Sequence, residues 1–165
     1  MLIERSDLPA WLLEAKLSIE LVPSTSWGDN LRSALTRTQW DRLRREQFDI
    51  AGHVCEICGG KGRRHPVEGH EVWSYDEINF VQKLERLIAL CPACHRCKHP
   101  GNTHRIGLGH LIEPQLCRVN GWTPDQAKMA QGWAFQVWQI RSRYQWTLDL
   151  SWLEAKGVTP RRRHG

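Results

Sequence analysis

Four cysteines fall into two matched pairs, Cys55-Glu56-Ile57-Cys58 and Cys91-Pro92-Ala93-Cys94. A Cys-x-x-Cys knuckle fixes the bite of two thiolates, and two knuckles supply the four ligands of a tetrahedral zinc ion. Four thiolates close the shell, so Cys55, Cys58, Cys91 and Cys94 point to structural rather than catalytic zinc. Three histidines accompany them. His95 and His99 stand at i and i+4 on a predicted helix and share a face, while His70 sits on the segment between the knuckles. Two imidazoles on one helix face suit a divalent ion with open positions, and a third nearby suits activation of water against a phosphodiester.

The knuckles must be brought together across residues 59–90, more chain than a zinc ribbon needs, so a substructure lies between them. Residues 66–73 predict a strand with Val67, Gly69, Glu71 and Trp73 on one face and Glu68, His70 and Val72 on the other. Residues 74–80 predict a polar connection and 81–87 a short helix. The apolar run Leu87-Ile88-Ala89-Leu90 suits pairing with the first strand, and a helix begins near Cys94 or His95. Cys97 extends the knuckle spacing and reads as a spare thiol; Cys117 reads as a small core residue.

The flanks supply scaffold. Residues 1–36 predict an arm packed on the core, with a short helix after Pro9 and a weak strand over 17–22 in which Leu17, Ile19 and Leu21 alternate with Ser18, Glu20 and Val22. Thr38 as cap and Trp40, Leu43, Phe48 and Ala51 at helical spacing predict a helix over 38–51 ended by Gly52. A helix over 110–119 is shortened or kinked by Pro114. Thr123-Pro124-Asp125-Gln126 is a helix start, and the helix over 123–144 reads as buried on much of its circumference. Residues 146–153 alternate as an extended segment.

Hydrophobic residues make up 41% of the chain and charged residues 25%, a globular rather than disordered composition. Nine tryptophans predict large buried anchors. The formal charge of +5 favours polyanionic partners, with clusters at Arg42, Arg44 and Arg45, at Lys61, Arg63 and Arg64, and at Arg161-Arg162-Arg163. The start lacks the basic and apolar regions of a secretory leader, and no apolar run approaches the length of a membrane span. A cytoplasmic, reducing setting is therefore expected, where paired knuckles mean metal rather than disulfides.

Cys55-x2-Cys58, Glu68-Gly69-His70 and Leu87-Ile88-Ala89-Leu90-Cys91-Pro92-Ala93-Cys94-His95-x2-Lys98-His99 resemble the HNH endonuclease family, the ββα-metal nucleases. The resemblance covers about residues 54–99. It implies an α+β fold with a ββα core and a four-cysteine zinc knot, flanked by mostly helical segments. It also implies metal-dependent hydrolysis of nucleic acid, most naturally double-stranded DNA. In that scheme His70 is the general base and His95 and His99 hold Mg²⁺ or another divalent ion. The family usually carries His or Asp directly before the base, where this chain has Gly69, and a central Asn where it has Arg86. Glu68, on the strand face of His70, is the carboxylate expected to compensate. The organisation expected is one domain over 1–160, with an N-terminal arm over 1–36, a C-terminal helical segment over 104–153 and a basic tail over 161–165. The residues also allow a module of this fold that binds nucleic acid without cutting, or a zinc-stabilised protein-interaction domain.

Overall fold

The computed structural model describes residues 8–26 and 31–161. The segment between the knuckles forms a long antiparallel hairpin of β1 (Glu68–Asp76) and β2 (Val81–Leu90), in register from Glu68 opposite Leu90 to Asp76 opposite Val81, with a bulge between Val72 and Trp73. Its turn is closed by Asp76, whose carboxylate accepts the Ile78 and Asn79 amides and the Asn79 side chain.

The helix expected over 81–87 is therefore a strand, and the connection expected over 74–80 is strand as far as Asp76. Leu84 and Leu87 do sit at helical spacing. Gln82 and Leu84 are buried, however, while Lys83 and Glu85 face solvent. That alternation is what a half-buried strand requires, and the hairpin partner satisfies its backbone groups.

Two short helices precede the hairpin. They are α1 (Ala10–Leu13) and α2 (Leu31–Ala34). Residues 17–22 are extended but join no sheet. The longer α3 (Arg37–Ile50) follows, capped by Thr36 rather than Thr38 through a reciprocal box with Gln39. After β2 come α4 (Pro92–Lys98), α5 (Pro100–Arg105), α6 (Ile112–Asn120) and α7 (Pro124–Arg141). Pro114 lies in the first turn of α6, where its missing N–H costs nothing, so the helix runs on to Asn120. The box of Thr123 with Gln126 opens α7.

Beyond α7, residues 146–153 divide. β3 (Thr147–Asp149) pairs in parallel with the start of β2, completing a three-stranded sheet in the order β1-β2-β3, and α8 (Ser151–Ala155) follows. The described residues thus form a mixed α+β fold with a small sheet. No helix among them is long and apolar enough to cross a membrane.

Two apolar clusters flank the hairpin. Leu31, Leu35, Trp40, Leu43, Leu84, Leu87, Leu153 and Val158 tie α2, α3 and α8 to the sheet. Leu17, Ile88, Leu90, Ile112, Leu116, Trp122, Ala127 and Ala130 gather around the cysteines. Of the described tryptophans only Trp40, Trp122 and Trp146 are buried; the others are half-buried, and of these Trp11, Trp73 and Trp152 pack against the edges of the two clusters. α7 buries only its alanine stripe, Ala127, Ala130 and Ala134, and leaves Met129 and Phe135 exposed, so it is a one-sided helix rather than a buried one. In the basic tail, Arg161 donates its backbone N–H to Ala34 O at 2.7 Å; residues 162–165 of the tail lie outside the described residues, as do residues 1–7 and 27–30 of the expected arm.

Candidate metal centres and cleft

The first knuckle turns on Gly59, whose φ of +69° suits a residue without Cβ. Cys55 N–H then bonds to Gly60 O at 2.9 Å, closing the loop. The second knuckle is the entry to α4, with Cys91 as cap and Pro92 in the first turn. β2 delivers it to the first knuckle through Glu56. Its carboxylate accepts the Ala89 amide at 2.5 Å and the Arg86 guanidinium at 3.0 Å. Arg86 is thus a strut for the knuckle.

All four cysteine sulfurs lie within 4.8 Å of one another, and Cys58 Sγ stands 3.6 Å from Cys91 Sγ. Zinc–sulfur bonds of about 2.3 Å in a tetrahedron put sulfurs about 3.8 Å apart, so the spacing fits. The protonation chemistry fits as well. The hydrogen bond from Cys94, with help from backbone N–H groups, draws the Cys55 thiol well below the usual thiol range. The same contact, and then burial, push Cys94 up, and burial raises Cys91. Thiols this close and this buried cannot all ionise without a cation among them. Gln115, on α6, donates to Cys94 Sγ at 3.1 Å, tying the helix behind the cluster to it. Cys97 stays outside the group, fully buried and facing Ala93 O and Ile112 O at 3.5 and 3.7 Å. Burial raises its pKa to about 12. Cys117 is half-buried against the same cluster.

The three sequence-predicted histidines are brought together. One ring nitrogen from each of His70, His95 and His99 lies within 4.8 Å of the others. His70 Nδ1 is 3.2 Å from His99 Nε2, and the rings meet edge to face. Two imidazole nitrogens at about 2.1 Å from one ion stand about 3.0–3.4 Å apart, so this pair fits a shared ion. His99 is exposed at its outer edge, but desolvation of its ring among its neighbours, then the charges of His95 and His70, hold it down to about 3. Burial also holds His70 below the usual imidazole range. These two rings therefore stay neutral at neutral pH, the form that offers a lone pair. Imidazole donors suit zinc, cobalt, nickel, copper or iron better than Mg²⁺, which prefers oxygen.

Glu68 is placed beside this group. Its Oε2 contacts His95 Nδ1 and its Oε1 lies 2.6 Å from His65 Nε2. Those contacts, His95 first, outweigh partial burial and draw its carboxyl to about 2. It is thus positioned to orient His95. The other acidic residues near the hairpin are engaged elsewhere. Glu71 is on the opposite strand face and accepts the Leu31 amide at 2.9 Å, and Asp76 and Asn79 close the turn.

Gly69 also has a structural reason. A Cβ there would stand 3.3 Å from Arg44 Cβ and 3.7 Å from the Trp40 ring. The missing side chain is what lets α3 lie against β1 next to His70.

Two clefts of about 690 and 310 Å³ meet at the histidines and share Arg32, Trp40, Gly69, His95, His99 and Asn102. The larger is walled by Arg32, Arg44 and Arg96 with Trp40 and Phe48. Arg32 lies over the Trp40 ring and Arg44 over Phe48. Among the described residues of the basic clusters picked out in the sequence, only Arg44 reaches this wall. Arg42 turns away to bond Lys156 O at 2.9 Å, and Lys61, Arg63 and Arg64 lie outside the lining.

Glu20 is the site residue that the sequence reading passed over. Lys98, only 3% exposed, curls back from α4 and donates from Nζ to Glu20 Oε1 at 2.7 Å and Ser18 Oγ at 2.9 Å. The other carboxylate oxygen lies 3.8 Å from His70 Nε2. The signal available was the alternation over 17–22, which puts Ser18 and Glu20 on one face. No protein-family model, curated protein or solved structure matches the chain.

Proposed function

We propose that this chain is a metal-dependent HNH-type endonuclease that hydrolyses DNA phosphodiester bonds. The observation that carries the reading is the meeting of His70, His95 and His99 where a hairpin joins a helix, with His95 and His99 lining an arginine-walled cleft and His70 lining the smaller cleft beside it. In this reading β1, β2 and α4 are the ββα core and the four cysteines hold the structural zinc that braces it. His95 and His99 hold the catalytic ion, which when bound supplies a Lewis acid for the phosphate and the leaving oxygen.

The chain's own residues do the rest. His70, kept neutral by burial, takes a proton from the attacking water. The water oxygen forms the new bond to phosphorus as the bond to the leaving sugar oxygen breaks, and that oxygen leaves with a proton from solvent. Glu68 holds His95 in orientation. Arg32, Arg44 and Arg96 neutralise phosphate charge, and the half-buried Phe48 offers aromatic surface to the nucleic acid. The convergence of these arginines on the histidine side favours a nucleic-acid partner over a protein one. Four reduced thiols suit a cytoplasmic setting.

Nicking of supercoiled plasmid by the zinc-loaded chain, with Mg²⁺, Mn²⁺ or Co²⁺ added, tests the proposal. His70→Ala is expected to lower the rate by about 10²–10⁴-fold, the usual contribution of a general base. Equal rates for wild type and variant sink the enzyme reading. Salt-dependent binding with no cleavage under any ion would instead identify a binding module.

A further inference from the structure

The nitrogen of His70 that faces away from His99 is unusual. Nε2 is sealed from solvent and makes no hydrogen bond among the described residues. The residue is 5% exposed. A buried imidazole nitrogen without a partner loses its hydration for nothing in return. The group that faces it is the Glu20 carboxylate, with Oε2 at 3.8 Å. That oxygen is beyond direct hydrogen-bond reach, yet close enough for a small rotation or one bridging water to join the two.

Glu20 is not there by chance of a mobile side chain. Its other oxygen is clamped by the buried Lys98 ammonium, which Ser18 also holds. Ser18 in turn bonds Glu20 Oε1 at 2.9 Å. The arm is fixed next door, where Leu17 N–H bonds Asn120 Oδ1 at 2.9 Å and Asn120 Nδ2 bonds Leu17 O at 3.0 Å. Lys98 lies on the same helix as His95, and His99 is the residue that caps it, so one seven-residue helix and its cap carry two of the histidines and the cation that holds the carboxylate for the third.

We propose that Glu20, carried on the N-terminal arm and clamped by Lys98, is a positioning residue that holds His70 in the Nε2–H tautomer. The proton then lies on the nitrogen facing Glu20, and the lone pair on Nδ1 faces His99 and the centre. A carboxylate behind a histidine sets its tautomer and ring orientation in this way whether the front nitrogen takes a proton or holds an ion. The kinetic consequence rests on the nuclease reading; the tautomer does not.

The test is long-range ¹H–¹⁵N correlation on the zinc-loaded full chain labelled in histidine, at neutral pH, together with plasmid nicking. Wild type is expected to show His70 protonated at Nε2. Glu20→Ala is expected to lose that preference and to lower kcat by about 10–100-fold, the usual effect of removing such a partner, with KM little changed. Glu20→Gln, which keeps the size and an oxygen for Lys98, is expected to recover part of both and guards against a variant that fails to fold. The proposal is overturned if wild-type His70 is protonated at Nδ1, or if Glu20→Ala leaves the tautomer unchanged. It is also overturned if an altered tautomer leaves nicking within twofold. Should wild type not nick DNA at all, the nuclease reading falls and the tautomer of wild type against Glu20→Ala alone decides the role of Glu20.

Discussion

Replacing Gly69 by Asp puts an acidic side chain directly before His70, where the HNH pattern usually has a metal ligand. The structure predicts that it harms the protein. The new Cβ would stand 3.3 Å from Arg44 Cβ and 3.7 Å from Trp40 Cζ2 and Cη2. Arg44 Cβ is attached to helix backbone and cannot swing away, so α3 itself must retreat by a few tenths of an ångström. That helix is anchored by Trp40 and Leu43 in the apolar cluster with Leu84 and Leu87. Overpacking of this kind costs about 1–3 kcal/mol. Filling a strand glycine returns about 0.5–1 kcal/mol. The net runs from about 0 to 2.5 kcal/mol of loss, centred a little above 1, which for a chain of this size lowers Tm by a few degrees and by at most about 10 °C. Thermal unfolding followed by circular dichroism, paired with nicking as a function of Mn²⁺ concentration, measures both sides. Gly69→Asp should unfold earlier and need no less Mn²⁺. A variant with unchanged or higher Tm that nicks at lower Mn²⁺ would refute the packing argument and mark Gly69 as a vacant ligand position.

Other perturbations separate the remaining parts. Lys98→Met fills the aliphatic volume but strands the Glu20 carboxylate; because Glu20 is partly exposed and can rehydrate, the loss should be about 2 kcal/mol rather than the larger cost of a fully buried orphan, and a double-mutant cycle with Glu20→Gln in urea should show coupling of about 1 kcal/mol. Cys94→Ser should abolish cooperative unfolding and zinc retention, whereas Cys97→Ser should keep one zinc per chain by atomic absorption; equal retention in both would remove the four-cysteine assignment. With no ion at the histidines, His99 is held down to about 3 by burial and by His95 and His70. The unfolded chain therefore takes up this proton first, so stability is full above about pH 6.5 and drains as pH falls from there toward 3. Between pH 7.5 and 5.0 the urea midpoint of wild type should fall further than that of His99→Gln; because His99 is exposed at its outer edge, the difference should be modest, and parallel curves would contradict the desolvation of its ring by the neighbouring histidines. Arg44→Ala and Arg96→Ala should each reduce the slope of log K against log salt for duplex DNA by about 1; an unchanged slope would place the nucleic acid on another face.

The parts of the site legible in the sequence were those set by short-range spacing. Cys-x-x-Cys fixes a ligand pair within one turn; the four-residue spacing of His95 and His99 also brings their rings together, although α4 ends at Lys98 and His99 is its cap rather than part of a helix face. The strand parity of Glu68, His70 and Glu71 was legible for the same reason. Lys83, Glu85 and Arg86 misled because strand β2 is recognised only through its partner: Leu84 and Leu87 satisfy helical spacing, and only pairing with β1 decides between the two. Glu20 was hidden by distance. A lone carboxylate in an arm with weak periodicity acquires meaning only when Lys98, 78 positions away, turns inward to meet it. Gly69 looked like a lost ligand because the approach of α3 leaves no trace in local sequence.

α4 has seven residues, far below the length at which a helix stands alone in water. Its first turn belongs to the cysteine cluster and its last to the histidines. The hairpin loop from Cys58 to Cys91 must also close before either half of the cysteine set can act as one. The histidines therefore have no shared geometry in a chain whose cysteines are unbridged. Whatever bridges the four sulfurs therefore also sets when the imidazoles come to face one another: closing the cysteine cluster and assembling the histidine group are one event along the chain.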